Sequence, residues 1–247
     1  MAPTRVVLKA SEVAAILGKN QYKPRHEVLD ELWKKYSPET FTGQTKRDRA
    51  NEILNTSETA REVLNCVSKI KAKDSTEVQN IVANVRKHIN SDSKLSVAQK
   101  EEIISHITSN VYTAHGTRAE DKTSAKVEST EGARLVRDNA FYNYEICTLG
   151  ETLFVVTGKI DRIEERDGSR ILVEIKNRTN RLFRRVVEYE MIQVQVYLQM
   201  LGLVHARLVE QYNYQVLSHD ITRDEELWAN VIVPGLEQFC NELYDKF

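Results

Sequence analysis

Apolar side chains recur at helical spacing through the first half of the chain. The clearest run is Val78, Ile81, Val82, Val85 and Ile89. Residues three or four positions apart share one face of a helix, so this run predicts a buried helical face. Ser57, Asp74 and Ser96 are suited to cap helices, and Ser96-x-x-Gln99 has the spacing of a capping box. The pattern predicts three consecutive helices, at about 57–72, 75–90 and 96–114.

The N-terminal segment contains two shorter helical patterns. Ser11 is a favoured N-cap residue and Gly18 is a favoured stop, which predicts a helix between them. Pro24 begins a second helix, and residues 36–45 form a loop.

The second half of the chain predicts strands, at about 139–147, 152–165, 170–177 and 207–217. A helix at about 188–203 separates the last two strands and ends at Gly202. A long helix begins near Thr222, with a boundary or kink at Pro234. This order predicts an α/β (α+β) fold in which a mixed central sheet is flanked by helices.

Three charged residues, Asp161, Glu174 and Lys176, interrupt two neighbouring predicted strands. A turn at Asp167-Gly168 joins these strands into a hairpin, and alternate strand residues share a face, so Glu174 and Lys176 point the same way. Asp161, on the first strand, can reach the same end of the sheet. Two carboxylates and an ammonium suit a divalent metal ion and phosphodiester hydrolysis. For the hairpin taken alone, a solvated sheet face is the more frequent explanation.

Composition narrows the classes of protein to which this chain can belong. No apolar run approaches the ~20 residues of a membrane helix, and no signal-peptide pattern occurs at the N-terminus. The three cysteines, Cys66, Cys147 and Cys240, are scattered and form no C-x-x-C pair, which argues against zinc and a disulfide framework. We therefore expect a soluble intracellular protein in a reducing compartment. A net charge of −1 argues against a general nucleic-acid coat protein, although local charge can still bind a polyanion.

Further motifs occur in the order of one nuclease family. They are the Ser11-Glu12-hydrophobic helix, Gly116-x-x-x-Glu120 beside His115, Asp161, Glu174-x-Lys176 and Gln193-x-x-x-Tyr197. This set resembles the PD-(D/E)XK nuclease superfamily. Within it, the chain resembles the branch of the YqaJ-type viral recombinases and phage lambda exonuclease. The resemblance covers residues 5–35 and 110–217.

The resemblance implies a restriction-endonuclease-like core and a single nuclease domain over residues 1–247. Residues 40–112 fall between the matched motifs, so we interpret them as a helical insertion or subdomain within that domain. This segment could cover the cleft, contact DNA or mediate assembly.

The resemblance also implies roles for the catalytic residues. Asp161, Glu174 and the main-chain carbonyl of Ile175 would hold Mg²⁺, for which Mn²⁺ would substitute. Glu120 would complete that site or hold a second ion. Lys176 would lie beside the attacking water and neutralise developing charge. Gln193 would orient Lys176 or that water.

Candidates for binding DNA phosphates fall in three places. In the resembling exonucleases a serine at the place of Ser11 helps to hold the terminal 5′-phosphate, together with an upstream arginine. Arg5 is the nearest such arginine, one residue out of register, and an N-cap role is the alternative for Ser11. Tyr197 would contact a phosphate or support the site, or else lie at the edge of the core. Four arginines follow the catalytic strand and either grip phosphates or belong to a solvated loop: Arg178, Arg181, Arg184 and Arg185.

The sequence is compatible with three functions. The leading hypothesis is a Mg²⁺-dependent 5′→3′ exonuclease acting on double-stranded DNA ends and making single-stranded tails for recombination or repair, with a single-strand annealing protein as partner. The alternatives are a structure-specific DNA endonuclease of the same fold and a catalytically silent DNA-binding or assembly module. The resemblance further implies a homo-oligomer, a ring of three subunits, and is compatible with a viral or phage origin.

Overall fold

The computed structural model describes residues 3–166 and 168–247, so Asp167 of the predicted hairpin turn lies outside the described residues. The helices are α1 (Val13–Ile16), α2 (Arg25–Tyr36), α3 (Lys46–Thr56), α4 (Glu58–Lys69), α5 (Ser75–Ser91), α6 (Val97–Glu131), α7 (Glu188–Leu201), α8 (Glu225–Leu227) and α9 (Val233–Tyr244). The strands are β1 (Arg5–Lys9), β2 (Arg134–Arg137), β3 (Tyr142–Leu149), β4 (Thr152–Gly158), β5 (Arg162–Arg166), β6 (Ser169–Asn177), β7 (His205–Tyr212) and β8 (Gln215–Thr222).

The strands form two mixed sheets. The first has the order β1-β4-β3, with β1 parallel to β4. The second has the order β2-β5-β6-β7-β8, with β6 parallel to β7 and its other pairs antiparallel. The predicted α/β fold class is confirmed, although the strands are divided between two sheets where we expected one.

Two segments that were each predicted as one strand contain two strands in the structure. The predicted strand at 152–165 divides into β4 and β5, which belong to different sheets. The predicted strand at 207–217 divides into β7 and β8, where Asn213 turns the chain with a φ of 52°. The first division places Asp161 in a short connection before β5, where we had expected it within a strand. β1 and β2 were not predicted, because four or five residues carry too little alternation.

The predicted strand divides at Gly158 because the end of β4, helix α7 and the segment after β1 approach one another closely there. A Cβ atom on Gly158 would lie 2.5 Å from Cε1 of Tyr197 and 2.8 Å from Cβ of Ala10. Only glycine therefore lets the end of β4 pack directly against α7 and the segment after β1. The chain then leaves the first sheet and enters the second, which brings Asp161 to the start of β5.

The main core lies between the sheets and helices α1, α2, α7 and α9. Val6, Leu8, Phe154, Leu198 and Phe239 are fully buried members of it. Each such side chain contributes about 1.5–3 kcal/mol through its removal from water. The core thereby fixes α7 against the strands that carry the charged residues.

Helices α3 to α6 pack around a second core of their own, which includes Ile53, Val85 and Ile107. The predicted caps are present, because Ser57 accepts from the amide of Ala60 and Asp74 from that of Glu77. The capping box of Ser96 and Gln99 is also present. The treatment of this segment as an insertion or subdomain of one nuclease domain stays a prediction.

One helix links that second core to the strands. The predicted helix at 96–114 continues without interruption to Glu131, so α6 spans 35 residues and passes through Gly116. Its first half packs Ile103 and Ile107 into the helical core, and its second half carries Glu120. A single glycine costs a helix only about 1 kcal/mol, which tertiary packing readily offsets.

The prediction that Ser11 caps a helix is wrong. A 3₁₀ turn spans Ala10–Glu12, Lys9 precedes it, and no side chain caps it. The turn follows β1 directly, so Lys9 occupies its N-cap position and Ser11 lies within the turn. The predicted end of α7 is confirmed, since Gly202 adopts a left-handed φ of 64°. Among the helices of residues 3–166 and 168–247, none is long and apolar enough to cross a membrane.

Candidate active site

Side chains of β6 and α7 meet in a buried polar group. Lys176 Nζ donates to Glu174 Oε1 at 2.8 Å and to Gln193 Oε1 at 3.1 Å. Gln193 Nε2 donates to the same Glu174 oxygen at 3.1 Å. Glu174 is 4% exposed although its side chain is ionisable. The strand alternation predicted for Glu174 and Lys176 thus brings them together, and Gln193 joins both of them from α7.

Asp161 joins this group through the backbone of β6. The pairing of β5 with β6 ends at Arg162 and Val173, so β5 supplies no partner for residues of β6 beyond that point. The carboxylate of Asp161 takes over this role, because Ile175 N–H donates to Asp161 Oδ2 at 2.8 Å. Asp161 is therefore fixed beside Glu174 by a main-chain hydrogen bond.

Helix α6 contacts the same end of β6. Thr123 Oγ1 donates to Asn177 Oδ1 at 2.6 Å, and Asn177 Nδ2 donates to the carbonyl oxygen of Gly116 at 3.1 Å. Glu120 lies on α6 between these two contacts. The helix thus brings a third carboxylate to the end of β6 that already holds Glu174.

The buried side chain of Arg162 also supports this region. It is 4% exposed, donates to the carbonyl oxygen of Asp161 at 2.6 Å and pairs with Asp121 of α6. It thereby connects α6 with the start of β5. No separate signal in the sequence pointed to Arg162, because an arginine at a strand start is usually solvated.

Burial and mutual repulsion make the three carboxylates hard to ionise together. Burial, and after it the charge of Asp161, raises the pKa of Glu174 to about 7. Burial raises the pKa of Asp161, and Glu120 adds to that rise. The pKa of Glu120 is raised by burial, with Glu174 adding to the rise. Although burial opposes its charge, Lys176 has a raised pKa because the adjacent Glu174 carboxylate outweighs that effect.

The donor set fits a hard divalent cation. Glu174 Oε2 is buried and has no hydrogen-bond partner among the described residues, and such an atom is costly to bury. Asp161, Glu174 and Glu120 supply only oxygen atoms, which Mg²⁺ prefers. A cation would also relieve the repulsion that raises their pKa values. Within residues 3–166 and 168–247, no three His, Cys, Asp or Glu side chains are already gathered as a metal cluster.

Tyr197 supports the site from inside the core. It is 4% exposed, and its hydroxyl accepts from Gln193 Nε2 at 3.3 Å. Its ring packs against Gly158. Burial, and after it the charge of Glu174, raises its pKa. Of the roles weighed from the sequence, this geometry favours support of Gln193 over contact with a phosphate.

Arg178 was predicted to contact DNA, but its side chain is buried. Its guanidinium forms two hydrogen bonds to Glu190, at 2.5 and 2.8 Å, and one to Glu210 at 2.8 Å. Both carboxylates are almost fully buried. A buried carboxylate needs a partner, so these two acids hold Arg178 inside the protein. We therefore remove Arg178 from the candidate DNA-binding residues.

The other three arginines of this run are exposed on the loop between β6 and α7. Arg181, Arg184 and Arg185 line a cavity of about 880 Å³ that is also bordered by Tyr22 and Tyr189. Their placement leaves them free to meet a polyanion, as the sequence suggested.

Arg5 and Ser11 do not converge on one point. They lie at opposite ends of β1 and its following turn, and β1 alone separates Arg5 from Lys9 by about 13 Å. Arg5 donates to Asn143 of β3 at 3.4 Å in an exposed contact on the first sheet. Ser11 is exposed in a cavity with Lys9, Gly158 and Lys159. A joint grip of both residues on one terminal phosphate has no geometric support.

Comparison with known proteins identifies the superfamily of the chain. The sequence model of the PD-(D/E)XK nuclease superfamily matches residues 26–243. The matched segment includes Asp161, Glu174 and Lys176, and it defines the class of protein as a nuclease. The chain belongs to the PD-(D/E)XK nuclease superfamily, which confirms the superfamily predicted from its motifs.

The fold is similar to that of a solved exonuclease structure. The chain is similar to an alkaline exonuclease (LHK-Exo) from Laribacter hongkongensis, with 15% identity, a TM-score of 0.52, and coverage of 98% of this chain and 89% of that one. A phage related exonuclease from Haemophilus somnus 129PT has 12% identity and a TM-score of 0.45, with coverage of 98% and 94%. SSO0001 has 18% identity and a TM-score of 0.42, with coverage of 76% and 86%. No curated protein sequence matches this chain.

Proposed function

We propose that this chain is a Mg²⁺-dependent deoxyribonuclease that degrades double-stranded DNA from its ends in the 5′→3′ direction and leaves single-stranded tails. The observation that carries the proposal is the buried group of Glu174, Lys176 and Gln193, joined to Asp161 through the Ile175 amide. A silent module would have no need to bury a lysine between a glutamate and a glutamine. The similarity in fold to an alkaline exonuclease supports the choice of DNA ends as substrate.

Asp161, Glu174 and the Ile175 carbonyl, with Glu120 facing them from α6, would hold the cation. A bound divalent ion would supply a Lewis acid that favours deprotonation of water and neutralises charge on the phosphate oxygens. The buried position of Glu174 excludes bulk water from one side of this group, which strengthens every charge interaction within it.

Lys176 performs the second part of the chemistry. Its ammonium has three donors, of which two are used by Glu174 and Gln193. The third can donate to the attacking water or to a phosphate oxygen. Because Glu174 keeps Lys176 charged, the ammonium stabilises negative charge that develops on the phosphate. Gln193 fixes the direction of the Lys176 side chain, and Tyr197 fixes Gln193.

Cleavage of labelled DNA tests the proposal. Linear duplex with one 3′-labelled end, linear duplex with and without a 5′-phosphate, and closed circular duplex are incubated with protein and Mg²⁺, and product sizes are followed over time. We expect the linear duplexes to be shortened from the 5′ ends and the circle to stay intact. Cleavage of the circle would instead identify an endonuclease of the same fold.

Substitution of the site separates an enzyme from a silent module. Glu174→Ala and Lys176→Ala should each abolish cleavage, whereas Arg86→Ala, on the exposed face of α5, should not change it. If neither site variant lowers a measured activity, the account of the site is wrong. Absence of cleavage in the unaltered protein with both Mg²⁺ and Mn²⁺ would favour the DNA-binding or assembly module. A requirement for a single-strand annealing partner or for a ring of three subunits would be tested by adding such a protein and by measuring the mass in solution.

A further inference from the structure

A positively charged cavity lies beside the catalytic group. It is formed by the loop between β6 and α7 and by the loop between α1 and α2, and its volume is about 880 Å³. Four cations line it, Lys19, Arg181, Arg184 and Arg185, and one carboxylate, Glu188, which pairs with Lys19 at 3.1 Å. Four positive charges against one negative charge give this wall a charge of +3, in a chain whose net charge is −1. The cavity is therefore a local site for an anion.

Two of the three tyrosines that line the same cavity, Tyr22 and Tyr189, form an aromatic pair. The side chain of Tyr22 is 66% exposed, although burial of an aromatic ring is usually favourable. Its ring stands nearly perpendicular to that of Tyr189, with 5.8 Å between centroids. This edge-to-face contact holds Tyr22 at the mouth of the cavity. An aromatic pair among arginines, with one ring exposed and the other half-buried, suits a surface that stacks nucleic-acid bases.

The backbone beneath the arginines is fixed before any ligand binds. Glu210, which is fully buried, accepts from the amides of Phe183 at 2.7 Å and of Arg184 at 3.0 Å. The guanidinium of Arg178 lies 4.0 Å from the centre of the Phe183 ring and also binds Glu210. Arg184 has a φ of 58°, a conformation that is rare outside glycine and that the two amide contacts maintain. The backbone of this loop would therefore not have to be ordered on binding.

The cavity adjoins the reacting group along α7. Tyr189 and Gln193 are four residues apart on α7, about 6 Å along its axis, and so share one face of that helix. Gln193 in turn contacts Lys176. The distance from Tyr189 to Gln193 corresponds to about two base steps of 3.4 Å. A strand whose phosphate reacts at Lys176 would reach Tyr22 and Tyr189 within a few nucleotides.

We propose that this cavity binds the reacting strand of the nucleic-acid substrate where that strand is unpaired, with bases stacked on Tyr22 and Tyr189 and phosphates paired with Arg181, Arg184 and Arg185. A duplex keeps its base faces stacked inside, so it offers no free face to Tyr22, whereas an unpaired strand does. This inference rests on the proposed function and extends it by naming the form of the substrate held beside the reacting phosphate.

Equilibrium binding tests the proposal without cleavage. All variants are made in a Glu174→Gln background, and fluorescence anisotropy measures the affinity for fluorescein-labelled dT12 and for a blunt duplex of equal length. We expect Tyr22→Ala to weaken binding of dT12 about tenfold, within the range that loss of one stacked base gives, and to change duplex binding much less. Tyr22→Phe should keep the affinity of the unaltered chain.

Charge variants provide a second readout. Arg185→Ala should reduce the slope of log affinity for dT12 against log salt by roughly 0.7, the value expected for one lost phosphate contact on a single strand. The matched controls are Tyr214→Ala, in the turn after β7, where the tyrosine is 93% exposed, and Arg86→Ala on α5. Neither should change binding of dT12.

The outcomes distinguish this inference from the proposed function. If Tyr22→Ala binds dT12 as tightly as Tyr214→Ala does, or if single-strand and duplex binding weaken equally, the cavity does not bind an unpaired strand. If the unaltered chain cleaves DNA and this result holds, only the inference fails. If Tyr22→Ala selectively weakens dT12 binding while the unaltered chain cleaves no DNA, the proposal for the cavity is supported and the proposed function fails.

Discussion

Asp161 Oδ2 accepts a hydrogen bond from the backbone amide of Ile175 at 2.8 Å, at the point where the pairing of β5 with β6 has ended. One carboxylate thus completes the sheet's hydrogen bonding and also belongs to the candidate active site. The two roles can be separated by substitution, because asparagine keeps an acceptor oxygen and loses the charge.

Asp161→Asn should keep the fold and lose the activity. The Ile175 amide retains a partner, so the melting temperature should stay close to that of the unaltered protein, while cleavage with Mg²⁺ should fall at least about a thousandfold. Asp161→Ala should lose activity equally and also lower the free energy of unfolding by about 1–3 kcal/mol, since a buried donor is left unpaired. Thermal denaturation and a cleavage assay check both variants. Equal stability of the two variants would show that the Asp161–Ile175 contact contributes nothing to the fold.

The metal-free protein should lose stability as the pH rises from about 5 to above 7. Burial, together with the charge of Asp161, raises the pKa of Glu174 to about 7, above its value of about 4.3 in an unfolded chain. A group with a raised pKa in the folded state binds more protons there than in the unfolded state, so its stabilisation is complete below about pH 4 and is lost as the pH rises through about 7. The loss should be on the order of 3 kcal/mol. Melting curves in EDTA at several pH values measure it.

Glu174→Gln is the control for this pH effect. It removes the ionisable group, so its stability in EDTA should change less between pH 5 and pH 8. Added Mg²⁺ should raise the melting temperature of the unaltered protein more at pH 8 than at pH 6, because the carboxylates are then ionised. A Mg²⁺ effect of equal size in Glu174→Gln would place the ion elsewhere.

Gln193 should act on catalysis through Lys176. Gln193→Ala frees the ammonium from its 3.1 Å contact, and we expect a loss of about 10- to 100-fold in kcat with little change in KM. Lys176→Ala should cost more. The double variant Lys176→Ala/Gln193→Ala should be no slower than Lys176→Ala, since Gln193 then has no ammonium to orient. If the double variant is slower than Lys176→Ala by the same factor that Gln193→Ala costs alone, Gln193 acts directly on the substrate.

Arg178 should be a determinant of stability. Arg178→Met leaves Glu190 and Glu210 buried without their guanidinium, and we expect a loss of about 3–5 kcal/mol in the free energy of unfolding. Arg181→Ala, three positions later on the exposed loop, should change stability by less than about 0.5 kcal/mol. Urea denaturation of the two variants makes this comparison. Similar stabilities for both would contradict the structural role assigned to Arg178.

Gly158→Ala should disturb the site from the core. The added Cβ would meet Tyr197 and Ala10 at distances that real contacts do not reach, so α7 must shift. We expect a loss of about 1–3 kcal/mol from overpacking and a lower kcat, since Tyr197 supports Gln193. Gly132→Ala is a useful comparison, because that glycine ends α6 at a φ of 67° with open space around it. It should lose stability through backbone strain but retain kcat.

Local patterns in the sequence were sufficient for the regular elements. The periodicity of Val78 to Ile89 predicted α5, and Gly202 marked the end of α7, because a helix depends on contacts three or four residues apart. The alternation of Glu174 and Lys176 on one strand likewise predicted that they share a face. These features depend on near neighbours, which the sequence displays directly.

Other features required the tertiary structure, because their causes are distant in sequence. Tyr197 and Ala10 make Gly158 the end of a strand, and this moves Asp161 out of the strand in which it was predicted. Glu190 and Glu210 take Arg178 into the interior, although neighbouring arginines remain exposed. Sequence determined which chemical groups are present and on which local element each lies. Burial and charge pairing between distant segments decided which of those groups meet, since the cost of an unpaired buried charge is set only once the chain has folded.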